Sequence, residues 1–69
     1  ILRYVLPAGD GEVTAFVSTS TCQSHHEWQE GQQTLGHFYQ DHRRQFDSIV
    51  VRKVRDGARH PVVVMAGDL

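Results

Sequence analysis

One cysteine, one tryptophan, one methionine and two prolines are spread over 69 residues, and each scarcity removes a class of answer. A lone Cys22 leaves no internal disulfide, and so no secreted disulfide framework to staple the fold. No apolar run approaches the ~18 residues that a membrane helix needs. No basic segment followed by an apolar one opens the chain as a signal peptide would. The expectation is a soluble, cytoplasmic protein with no membrane partner. Neither sign of charge dominates: seven Lys+Arg against eight Asp+Glu give a formal charge of −1, too even for a global attraction to polyanions. Internal repeats, low-complexity tracts, a glycine-rich phosphate loop and a nucleophile elbow are all missing.

What remains is a small polar domain. A chain of this length buries only ~60% of its unfolded surface, so a core alone gives marginal stability. With 39% hydrophobic residues it still stands above the composition of disordered chains. A metal, a partner subunit or further chain are the usual supplements for so small a core. The start at Ile1 fits a processed chain or a piece of a longer one. The cations cluster although the total is balanced. Arg43, Arg44, Arg52, Lys53 and Arg55 are five of the seven, enough for a local basic stripe.

The apolar pattern changes along the chain. Ile1–Leu6 reads as a strand, Pro7–Gly11 as turn chemistry, and Glu12–Thr19 as a second strand with Val13, Ala15 and Val17 on one face. Ser18–Ser24 is hydroxyl-rich and reads as a loop. Ser24-x-x-Glu27 fits a capping box that would start a short helix before Gly31, and reads equally as a polar loop. Apolar positions at 35, 38, 39, 46 and 49, with His42 on the same spacing, predict a helix over Phe38–Phe46. Ile49–Val54 is rich in β-branched residues and reads as a strand. Arg55-Asp56-Gly57 then reads as a hairpin turn, with Pro61–Met65 as the returning strand. Two hairpins flanking a polar centre are expected.

Three constellations carry chemistry. Cys22, His25, His37 and His42 have roughly the spacing of a tetrahedral zinc site, although five histidines in 69 residues also produce such spacings as surface imidazoles beside a buried thiol. His25, His26, Glu27, Glu30 and Asp41 could form an acid–base or metal-nuclease site, but no partner sits at a spacing that general acid–base chemistry would fix. A non-enzymatic protein is expected, with no cofactor. Arg52-Lys53-Val54-Arg55 on a strand could track a phosphate backbone, but composition alone favours charges that guard an exposed strand edge.

The order of three blocks resembles the bacterial single-stranded DNA-binding proteins, a homotetrameric OB-fold family. The first block is Leu2-Arg3-Tyr4, Pro7-x-Gly9, Val13-x-x-Phe16 and Thr19-Ser20. The second is Glu27-Trp28-Gln29-Glu30. The third is Arg52-Lys53-Val54, Asp56-Gly57, Val62-Val63-Val64 and Gly67-Asp68-Leu69. Val54 stands where the family carries a further tryptophan. The resemblance implies a mainly β domain over 1–69, a compressed or partial OB-like barrel of two hairpins and one short helix. It also implies single-stranded DNA as partner, with RNA as an alternative, and assembly into a homo-oligomer. Carried over residue by residue, the nucleic-acid contacts are Arg3, Trp28, Arg52 and Lys53, with Tyr4, Phe38 and Arg55 beside them. Phosphates would lie on the cations and bases on the aromatic rings. A zinc module or a structural β-rich interaction domain are the competing expectations.

Overall fold

A computed structural model describes residues 1–69. Alternation in the first third of the chain builds a hairpin. Strand β1 (Leu2–Ala8) pairs antiparallel with β2 (Gly11–Val17), in a register running from Leu2 opposite Val17 to Ala8 opposite Gly11. Gly9 and Asp10 alone close it. Gly9 takes φ +61° and Asp10 stays at negative φ, the pattern of a II′ turn, whose twist suits a two-residue hairpin. Pro7 lies within β1, opposite Glu12. Tyr4, Leu6, Val13, Ala15 and Val17 turn to the core.

Helices follow. Ser18 caps a short helix α1 (Thr19–Gln23), its hydroxyl accepting the Thr21 amide at 3.1 Å. Thr34 caps α2 (Leu35–Asp41) by accepting from the His37 amide at 3.1 Å. The chain bends at His42 and continues as α3 (Arg43–Arg55). Strand β3 (Val62–Val64) then returns beside β2 in parallel, with Ala15 opposite Val62 and Val17 opposite Val64. A 3₁₀ turn over Ala66–Asp68 ends the chain. The sheet order is β1-β2-β3. A parallel pair needs a long crossover, and the three helices supply it. Phe38, Phe46, Ile49 and Val50 pack from the helices against Val62, Val64 and the first hairpin in one continuous core.

The β-rich expectation therefore holds in part. The first hairpin forms, and Val62–Val64 is a strand, but the sheet is open and mixed and does not close into a barrel. Four local expectations are corrected. Residues 49–54 are helix, because Phe46, Ile49 and Val50 are buried at i, i+3, i+4 spacing and that burial outweighs the weak helix propensity of β-branched residues. Asp56-Gly57 makes no hairpin. Gly57, at φ +88°, donates to the Val54 carbonyl at 3.0 Å while Ala58 donates to that of Lys53 at 2.9 Å, the paired bonds of a Schellman cap. Ser24 starts no helix either, since it closes α1, its hydroxyl donating to the Thr21 carbonyl at 2.6 Å. The Glu27–Glu30 stretch is turn and irregular chain rather than a strand hairpin.

Candidate functional site

Two of the three expected stacking rings are inside. Phe38 is completely buried, and Tyr4 lies against Tyr39 with ring centroids 4.3 Å apart. Neither offers a face to a base. Trp28 is half-buried, edge-on to Phe38 at 5.2 Å, with its indole N–H donating to Glu30 Oε2 at 2.8 Å. Lys53 is also taken up. Its ammonium donates to Asp68 Oδ2 at 2.6 Å and to the Val63 carbonyl at 3.0 Å, tying α3 to β3. Burial pushes the Asp68 carboxyl up, but the Lys53 bond and the Met65 amide outweigh it and hold its pKa below the usual value. Arg3 is exposed on the sheet face turned away from the helices, opposite Phe16.

Arg52 and Arg55 come together with two other cations. The helix places residues 44, 48, 52 and 55 along one stripe and 43, 47 and 51 beside it. Against the end of β1 this stripe forms an open groove of about 690 Å³, with Arg43, Arg44, Arg52 and Arg55 around Leu6, Pro7 and Val51. Its one acid is Asp47. That carboxylate already accepts from the Tyr39 hydroxyl at 2.8 Å and faces Arg43 Nε at 3.5 Å. Burial and then the Asp47 bond push the Tyr39 hydroxyl pKa up to about 12, so it stays a donor. Arg55 lies 3.7 Å from Asp56, whereas Arg44 and Arg52 have no ion-pair partner. Basic side chains in the last turn complement the helix dipole. Arg43 and Arg44 in the first turn oppose it, each by ~0.3–1 kcal/mol. Arg43 is partly offset by Asp47, whereas Arg44 has no intramolecular partner to account for it.

The second cluster is at the bend between α2 and α3. His42 Nδ1 lies 3.0 Å from the Phe38 carbonyl, and its Nε2 lies 3.5 Å from Glu27 Oε1. His25 is buried beneath it, edge-on at 4.8 Å and stacked on His26 at 4.7 Å. One ring nitrogen each from His25 and His42 and one Glu27 oxygen lie within 4.8 Å of one another. Cys22 and His37 are not in this group. Cys22 is a buried thiol with its pKa pushed up by burial, and His37 is exposed on α2. Of the four spacing-derived zinc ligands, two meet. Glu27 lies beside them instead, which the i, i+2 step from His25 and the bend at His42 make clear only in three dimensions.

No helix is long and apolar enough to cross a membrane. No family model, curated protein or solved structure matches the chain.

Proposed function

We propose that the protein is a small, non-enzymatic binder of single-stranded nucleic acid that holds the phosphate backbone in the arginine groove of α3. The observation that carries this reading is the convergence of four arginines on one groove whose only acid is already engaged. Arg44 opposes the dipole of its own helix and has no ion-pair partner, so stability does not select it, whereas a bound polyanion would. Leu6, Pro7 and Val51 give the groove an apolar strip between the cations. The ligand class is the one expected from the resemblance to single-stranded DNA-binding proteins, although the chain does not form that family's barrel. Base stacking has a smaller part here than in that family, because Tyr4 and Phe38 are core residues. Self-association through the sheet face that the helices leave bare belongs to the same reading.

The test is anisotropy of a fluorescently labelled oligo-dT at several salt concentrations. Binding is expected to weaken steeply with salt, since each phosphate neutralised releases counterions. The Arg44→Ala/Arg52→Ala double variant should reduce the slope of log affinity against log salt by ~1.4, two contacts at ~0.7 each. Arg44→Ala alone should raise thermal stability slightly while it weakens binding, because it removes a charge opposed to the dipole. Absence of binding at low salt, or an unchanged slope in the double variant, defeats the proposal.

A further inference from the structure

We propose that His25, Glu27 and His42 form a site for one divalent transition-metal ion of the zinc class. It uses none of the groove residues, so it stands or falls apart from nucleic-acid binding.

The observation behind it is the way both imidazoles are set. A carbonyl can only accept, so His42 Nδ1, at 3.0 Å from the Phe38 carbonyl, carries the hydrogen. In the neutral ring Nε2 then presents its lone pair to Glu27 Oε1 at 3.5 Å. A cation shared by the two would suit that arrangement, with His42 Nε2 and the Glu27 carboxylate as its donors. His25 is arranged in the matching sense. Its Nδ1 accepts from the Glu27 amide at 3.0 Å, which leaves the hydrogen on Nε2, 3.2 Å from Gln45 Oε1. Each ring thus gives one N–H to an oxygen; the other nitrogen of His42 faces the Glu27 carboxylate, and that of His25 accepts the Glu27 amide. Holding the second nitrogen of a ligating histidine by an oxygen is the usual outer-shell device of metal sites, since it fixes both tautomer and ring orientation.

Capture of the ion requires His25 Nδ1 to release the Glu27 amide. That bond is part-buried and spans only two residues of the turn, so its loss is set against the metal–ligand bonds gained. The three donor atoms then close from within 4.8 Å to the ~3.4 Å set by metal–ligand distances of ~2.0–2.1 Å. Glu27 is well placed to move, being exposed, while His42 is fixed against Phe38 at 4.2 Å. Two imidazoles and one carboxylate select zinc-class ions over magnesium or calcium, which prefer all-oxygen shells. Three protein ligands leave a fourth position for water. The ion would pin the irregular stretch between α1 and α2 to the α2–α3 bend. In a domain this small, metal binding adds directly to folding stability.

The experiment is calorimetric titration of the full chain with zinc chloride, together with visible absorption of the cobalt(II) form. One ion per chain is expected, with a cobalt spectrum free of the near-ultraviolet thiolate band. Glu27→Gln should weaken zinc binding at least ~10-fold, by analogy with the loss seen on removing outer-shell partners, and should abolish the several-degree rise in melting temperature that zinc gives the parent. Cys22→Ser should bind as the parent does. His42→Ala also strips packing from Phe38, so Glu27→Gln, a change at an exposed side chain, is the deciding variant. No saturable one-to-one binding, equal affinity in Glu27→Gln, or a thiolate band would overturn the assignment.

Discussion

Tyr4 shows how a residue changes meaning between chain and fold. As a sequence position beside Arg3 it reads as a stacking platform. In the structure its ring packs on Tyr39, and its hydroxyl is buried with no hydrogen-bond partner. Burial, then the neighbouring Tyr39, Asp47 and Cys22 groups, push its pKa well above that of an ordinary tyrosine. A buried hydroxyl left unpaired costs ~1–3 kcal/mol of desolvation with nothing gained in return. Tyr4→Phe keeps the ring and removes that penalty. It should therefore leave stability unchanged or raise it by ~1 kcal/mol, read as a higher urea midpoint at constant m-value. A loss of more than ~1 kcal/mol would mean that the hydroxyl has a partner in solution. Trp28 differs from Tyr4, since its polar end is satisfied by Glu30 and only one edge meets the core. Burial rather than residue type separates these aromatics, and no spacing rule conveys it.

At the scale of elements, the first hairpin was legible because alternation and a glycine turn point the same way. The last third was not, because two local signals competed with packing. Ile49-Val50-Val51 has strand composition and helical burial, and Phe46 at i−3 decides for the helix. The dipeptide Asp56-Gly57 is ambiguous for a physical reason. A hairpin turn and a helix C-cap both need a residue at positive φ, and glycine serves either. Once 43–55 is a helix, Arg43, Arg44, Arg52 and Arg55 fall on one side of it. Read as a strand, Arg52 and Arg55 would face opposite sides, so the groove was invisible. The Schellman cap is directly testable. Nothing lies within 4 Å of a Cβ built on Gly57, so space is free and only φ +88° opposes a side chain. Gly57→Ala should cost ~1 kcal/mol, with Gly57→Asn costing less because Asn tolerates the left-handed region. Equal stability of both variants and the parent would place the end of α3 elsewhere.

The helices cover one side of the sheet. The other side carries Arg3 and Val5 on β1, Glu12, Thr14 and half-buried Phe16 on β2, and Val63 on β3, with His60 and Pro61 beside Glu12, Thr14 and Phe16. Val5 and Val63 are each nearly half exposed, at 47% and 46%. Such a face is a candidate for pairing, and its charges fit a second copy of the same chain. Arg3 sits opposite Phe16 at one end of the hairpin, and Glu12 sits opposite Pro7 at the other. A two-fold axis lying between two such faces, crossing the strands between Val5 and Thr14, brings Arg3 of each copy to Glu12 of the other. That is the self-complementarity an isologous contact requires. Valines and Phe16 would fill the centre, and the ion pairs would set register more than affinity. Sedimentation velocity over a hundredfold concentration range should show reversible dimerisation. Arg3→Glu, which sets like charges against one another, should abolish it without changing the fold. Adding Glu12→Arg to that variant should restore it. Monomer at every concentration, or a double variant no better than the single, removes the bare face as a pairing surface and leaves its valines as ordinary exposed apolar residues.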